Sequence, residues 1–363
     1  ANLTDLELRA ELSAVGEARF VQVAVPPESS SNPPLSRNLA LGTVVGLIVG
    51  FGLALLAETR DQTIKSAADI EAVIDLPVLA SIPLATKKQL PELSIATHRD
   101  PEGVFADGYH KVRSALEFAS FDKTINSILV TSPSPAEGKS TTSSNLALAM
   151  SSVGNRTVLI DVDFRRPNIH NFYKVAQSPG LSDVTLYGAE MRSVAYSIQE
   201  PGLQNLLIMP TGTVPPSPAA FVGAAGFLGT LKRIEAEADI VVMDAPPLLA
   251  VSDAHTLSRH VDAVLLTARA GQTTKGELAE VVKVLSQVGA NVIGVVLIGV
   301  EEADTYGKQY YRSDTRPAAI PSGATGDLWA ENIPTGTIHL DREPEPPSVL
   351  QGRPRQIPQR LAP

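Results

Sequence analysis

The chain contains no cysteine, which excludes disulfides, thiolate metal sites and a cysteine nucleophile. Six histidines are scattered without the short spacings that metal ligands need. Lys and Arg form no run, and the net charge is −9. A nucleic-acid surface needs clustered cations to neutralise phosphates, so nucleic acid is excluded as a partner. The chain starts on Ala1 rather than Met, and the expectation is a processed or truncated chain. What is present is a folded protein: 363 residues and 44% hydrophobic content provide for about two domains of roughly 150 residues each.

From the start, Leu3, Leu6, Leu8 and Leu12 make a short amphipathic piece, followed by the alternating Phe20-Val-Gln-Val-Ala-Val25. This reads as the end of an extracytoplasmic domain. Pro26-Pro27 and Pro33-Pro34 then form an extended connector. Leu39 to Ala57 carries no charge and, at 1.5 Å per residue, spans about 28 Å, close to the hydrocarbon core of a bilayer. Its length predicts a transmembrane helix over 39–57, with a buried core helix as the competing reading. Gly42, Gly46 and Gly50 recur every fourth residue and leave one face flat enough for another helix. Residues 58–103 read as a juxtamembrane linker containing a capped short helix from Ser66, a strand at 78–82 and a polar loop over 84–103.

Ile128 to Asn145, ILVTSPSPAEGKSTTSSN, is an apolar strand that turns through a small loop into a helix start. Gly138-Lys139-Ser140-Thr141 suits a phosphate cradle: glycine lets backbone N–H groups approach phosphate, lysine neutralises charge, and a serine hydroxyl can ligate Mg²⁺. Pro133 stands where the usual motif has its first glycine. ATP and Mg²⁺ are cytosolic, so this cradle places residues 1–38 outside the cytoplasm.

Onward from Ile125, strands are expected at 127–131, 157–161, 206–210, 239–244, 262–267 and 291–300, with helices between. Near-continuous apolar strands such as Val264-Leu-Leu266 belong to a parallel sheet covered on both faces. The fold class is α/β. Ligands of such sheets sit beyond the carboxyl ends of the strands, which singles out Asp161, Asp163 and Asp244. Carboxylates there can hold Mg²⁺ beside a triphosphate.

The loop SPSPAEGKSTT, the segment Val158-Leu-Ile-Asp-Val-Asp-Phe-Arg-Arg-Pro167 and the segment Ile240-Val-Val-Met-Asp-Ala-Pro-Pro247 resemble the Walker A, A′ and B motifs of the bacterial tyrosine kinases. These are deviant-Walker P-loop ATPases of the polysaccharide co-polymerase and chain-length determinant family. The resemblance covers most of the chain and implies a P-loop kinase domain over 104–304 in the cytoplasm, anchored in the inner membrane. It implies Glu137, Gly138, Lys139, Ser140 and Thr141 as nucleotide contacts, with Lys139 on the β/γ-phosphates. Ser140, Asp163 and Asp244 would position Mg²⁺, Asp161 would be the base for an attacking tyrosine hydroxyl, and Arg165 and Arg166 would meet phosphate charge. Two departures stand out. Asp107, His110 and Arg113 replace the Glu-x-x-Arg-x-x-Arg that assembles rings in the family, and Ile298 replaces an Asn near the base site.

Tyr306, Tyr310 and Tyr311 place three of seven tyrosines within six residues. The resemblance makes them phospho-acceptors, modified between neighbouring subunits. It further implies a homo-oligomer, a polysaccharide polymerase and export machinery as partners, and a cognate tyrosine phosphatase. Residues 315–363 are rich in Pro, Gly and charge around a single Trp329, a composition that predicts disorder. Two other functions compete: a polysaccharide assembly scaffold in which nucleotide controls only oligomer state, and a partition-type ATPase of the same superfamily.

Overall fold

A computed structural model describes residues 35–120, 124–198, 200, 203–301 and 337–338. The expected N-terminal strand, the Pro-rich connector, the tyrosine cluster and Trp329 lie outside the described residues. The chain divides into two units, Ala1–Asp61 and Gln62–Pro363.

In the first unit, helix α1 runs Leu35–Arg60, longer at both ends than the apolar run. It is the one helix among the described residues long and apolar enough to cross a membrane. The Thr43 hydroxyl donates to the Leu39 carbonyl at 2.8 Å, so the polar group within the run is satisfied by its own helix, as hydrocarbon requires.

The second unit is built on one sheet. Its strands are β1 (Val78–Pro83), β2 (Ser127–Thr131), β3 (Thr157–Asp161), β4 (Tyr196–Ile198), β5 (Leu206–Met209), β6 (Ile240–Asp244), β7 (Ala263–Arg269), β8 (Val292–Val300) and β9 (Thr337–Ile338). They lie in the order β1-β8-β7-β2-β6-β3-β5-β4-β9. Every pairing is parallel except β4 with β5. The longer helices are α2 (Val104–Ala119), α3 (Lys139–Ser151), α4 (Ala225–Glu237) and α5 (Lys275–Gln287). All five residues of β2 and of β3 are buried. Leu129 points into one apolar cluster while Ile128 and Val130 point into the other, as the two-residue period of a strand dictates. Apolar residues on both faces are what makes these strands read as continuous hydrophobic runs.

β1 is an integral part of this sheet, on the outer side of β8, so the sheet unit reaches back well before residue 104. The stretch 84–103 is not merely a polar loop. It holds a 3₁₀ turn, Leu90–Ile95, and a short helix, Ala96–Arg99. Both are fastened to buried Asn145 of α3, whose Oδ1 accepts the Thr97 N–H at 2.8 Å and whose Nδ2 donates to the Leu93 carbonyl at 2.7 Å. Polar residues are tolerated there because each buried group finds a partner.

Candidate nucleotide site

β2 delivers the chain into a loop that ends at Gly138, and α3 begins at Lys139. Gly138 sits at φ +82°, and a Cβ there would collide with the Ile298 side chain. The turn therefore requires glycine on two counts. Ala136 also has positive φ, at 65°, an uncommon state for a side-chain-bearing residue that its surroundings must enforce. The enforcement comes from the end of β7 and the turn after it: Arg269 Nη1 donates to the Ala136 carbonyl and Gln272 Nε2 to the Pro135 carbonyl, each at 3.2 Å.

Glu137 does not line the cleft. Its carboxylate is fully buried, accepts the Ser134 N–H at 2.7 Å, and receives a very short hydrogen bond from the Thr273 hydroxyl. Burial raises its pKa. The Glu137 carboxylate thus holds the loop from behind, and its side chain does not face the cleft.

In front of the loop lies a cleft of about 460 Å³. It is lined by Ala136, Gly138, Lys139, Ser140 and Thr141 of the loop and helix start, by Arg166, Pro167, Asn168 and Phe172 from the segment after β3, and by Arg269 at the end of β7. The open N-terminus of α3 faces this space, with unpaired N–H groups and a positive dipole end that favour an anion.

The strand register brings the three acids together. Asp161 and Asp244 are paired positions on β3 and β6, and Asp163 follows two residues on. Lys139 Nζ lies 3.6 Å from Asp163 Oδ2, with both side chains nearly buried. Asp244 Oδ1 accepts a hydrogen bond from Ser143 Oγ at 3.3 Å, and the nearby Ser140 hydroxyl also favours its anion. Its other oxygen, Oδ2, is buried without a partner. A lone carboxylate oxygen beside a P-loop serine fits an Mg²⁺ held through one or two protein groups plus phosphate oxygens. Burial is the first cause raising the Asp244 pKa to about 6, and Lys139 opposes it.

Asp161 is fully buried, with both oxygens engaged. Oδ1 accepts the Asp163 N–H at 3.1 Å, and Oδ2 accepts those of Asn168 and Ile169 at 2.9 and 3.1 Å. Burial, then the neighbouring Asp244 charge, hold its pKa well above the carboxylate range. Arg166 lies in the cleft, but Arg165 turns away. It makes a two-pronged ion pair with Asp253, Nε–Oδ2 at 2.8 Å and Nη2–Oδ1 at 3.2 Å. Among the described residues, the cations that line the cleft are Lys139, Arg166 and Arg269.

Two expectations follow. Arg165→Ala leaves the 1%-exposed Asp253 side chain without its cation. Because the Arg165 side chain is 43% exposed, water screens part of the pair, and the expected loss is about 1 kcal/mol. A thermal melt should show a drop of roughly 2–4 °C, largely recovered in an Arg165→Ala/Asp253→Asn double variant. The second concerns pH. An Mg²⁺ held by Asp244 would need its anion, so below about pH 6 binding would displace a proton. Mg·nucleotide affinity should fall toward lower pH by up to about tenfold per unit from this group, and Asp244→Asn should flatten that slope in a fluorescent-nucleotide titration over the acid range. The raised pKa has the opposite sign for folding: the stability from the protonated form is complete below the usual value of 3.8 and is lost as pH rises through about 6.

A parallel sheet with a glycine-lysine loop running into a helix N-terminus, faced by carboxylates at adjacent strand ends, defines a nucleotide-binding protein of the P-loop class. Residues 128–320 match the CobQ/CobB/MinD/ParA nucleotide binding domain. Tyrosine-protein kinase YwqD of Bacillus subtilis is 31% identical over 200 residues, covering 55% of this chain and 83% of that protein. Tyrosine-protein kinase etk of Escherichia coli K12 is 28% identical over 309 residues, covering 79% of this chain and 42% of that one. The solved kinase domain of E. coli tyrosine kinase ETK superposes with a TM-score of 0.60 at 27% identity, covering 69% of this chain and all of that domain. The chain belongs to the CobQ/CobB/MinD/ParA nucleotide-binding family, and within it to the bacterial tyrosine kinases. It spans about two-fifths of the length of the longer relatives it matches.

Proposed function

We propose that the protein is an ATP-dependent tyrosine autokinase, anchored in the cytoplasmic membrane by α1, with its nucleotide unit in the cytoplasm. The observation that carries this reading is the meeting of Lys139, Asp161, Asp163 and Asp244 at one edge of the sheet, in a chain whose relatives are named tyrosine-protein kinases. Lys139 and the N-terminus of α3 hold the outer phosphates, with Thr141 and Arg166 beside them. Ser140, Asp163 and Asp244 would hold Mg²⁺, which would supply positive charge to offset that of the phosphates.

In the transfer step a tyrosine oxygen attacks the γ-phosphorus, the bond to the ADP oxygen breaks, and the phenolic proton passes to Asp161. A carboxylate with a raised pKa is a stronger base than an ordinary one, and a phenol near pKa 10 needs such help. Asp161 keeps a lone pair on Oδ1 beyond its three N–H partners, but it is fully buried, so the turn at Asn168–Ile169 must shift for the phenol to reach it. Tyr306, Tyr310 and Tyr311 of a second copy are the acceptors in this reading. A homo-oligomer and a cognate phosphatase follow from that, and a polysaccharide polymerase and export machinery is the system regulated. Support for the membrane location is the length and composition of α1. The test is incubation of the full chain in detergent micelles with Mg·ATP: phosphotyrosine supports the reading, and its absence refutes it.

A further inference from the structure

Lys139 meets Asp163 at 3.6 Å, which sets the reacting phosphate toward the turn after β3. That turn supplies the cleft residues Arg166, Pro167, Asn168 and Phe172, whereas Arg269, the last residue of β7, reaches the cleft beside the phosphate loop, where it donates to the Ala136 carbonyl.

The stretch of cleft wall from that turn is unusual for a phosphate site because it is partly apolar. Phe172 is only half-buried, with part of its ring packed on the core and part lining the cleft. Pro167 is half-buried beside it. Nucleotide phosphates need neither group. The turn is also held firmly from below: Asp161 Oδ2 accepts the N–H groups of Asn168 and Ile169, the first of which belongs to the wall itself. The Asn168 carbonyl then takes the Phe172 N–H at 3.4 Å. The carboxylate assigned as base thus carries the same turn that presents the apolar wall, which couples the position of the wall to the reacting centre.

We infer that Pro167 and Phe172 form the acceptor subsite, a pocket for the phenol ring of an incoming tyrosine, with Arg166 receiving acidic groups of the acceptor peptide or the transferring phosphate. This rests on the kinase reading above and names its substrate side. A flat aromatic ring packs edge-on or offset against Phe172, and that contact discriminates against serine and threonine, whose short hydroxyls cannot bridge from the wall to the phosphate.

The test uses the full chain in micelles, Mg·ATP, and a synthetic peptide copying residues 305–314, comparing the parent with Phe172→Ala and Phe172→Tyr. An aromatic contact of ordinary strength predicts a rise in peptide KM on the order of tenfold in Phe172→Ala, a far smaller change in ATP KM, and recovery in Phe172→Tyr. A serine-substituted peptide should be a poor acceptor for the parent. Peptide KM unchanged in Phe172→Ala overturns the subsite while leaving the kinase reading intact. Parallel rises in the KM of ATP and peptide also overturn it, since Phe172 would then serve the nucleotide. No transfer to peptide or to the chain by the parent overturns the kinase reading, and the subsite with it.

Discussion

Lys139→Met is expected to lower phosphate transfer by a factor on the order of 10³ or more, and to weaken ATP binding. Among the described residues its ammonium is the cation that reaches both the phosphate loop and Asp163, with Arg166 on the segment after β3. Removing a charge preorganised toward developing negative charge costs about 10²–10³ in rate, and here the same substitution also removes ground-state phosphate binding. Methionine keeps most of the length and adapts to irregular space, so the loss reports charge and not a cavity. Transfer and nucleotide affinity measured on one preparation check this; a loss below about tenfold in transfer would place Lys139 outside the site.

Asp161→Asn carries the second large effect, an expected fall in transfer of about 10²–10⁴ if the carboxylate is the base. An asparagine keeps the shape but offers one acceptor oxygen in place of two. One of the N–H groups of Asp163, Asn168 and Ile169, all now bonded to Asp161, loses its partner at a cost of about 1–3 kcal/mol. Positioning and base roles therefore both suffer, and the pH profile separates them. In the parent at saturating Mg·ATP, where the Asp244 effect on affinity drops out, transfer should climb with pH while Asp161 deprotonates and then level off, since its raised pKa leaves it protonated under acid conditions. Loss of that climb in Asp161→Asn identifies the base. A uniformly lowered curve with the climb retained identifies a positioning residue alone.

The parts of the site that are legible in the sequence are those written locally. β2, β3 and β6 are runs of buried apolar residues, and an acid at the end of such a run has only one place to go, the carboxyl edge of the sheet. Glycine before lysine announces a turn that needs positive φ. The hidden parts depend on partners far along the chain. Nothing near Arg165 marks Asp253 as its counter-ion, 88 residues away, and nothing near Glu137 marks Thr273, 136 residues away. A local signal for the second does exist, because Thr274 and Glu277 form a capping box that opens α5 and so fixes the turn that grips the phosphate loop. Residues 90–99 resemble a loop because their polarity suggests exposure, whereas Thr97 is buried against Asn145. β4, three residues long, is too short for a two-residue period to show. Nothing in the sequence marks Phe172, since a residue pattern does not tell which part of a half-buried ring faces a cleft.

The central claim is that this site moves phosphate from ATP to tyrosine on the chain itself. Its most direct test is intact-mass and peptide mass spectrometry of the full chain in micelles with Mg·ATP, beside Lys139→Met and a Tyr306→Phe/Tyr310→Phe/Tyr311→Phe variant. The account predicts phosphate on the 305–314 peptide of the parent, none on Lys139→Met, and none on that peptide in the triple variant. Nucleotide bound by the parent with no tyrosine modified would contradict it.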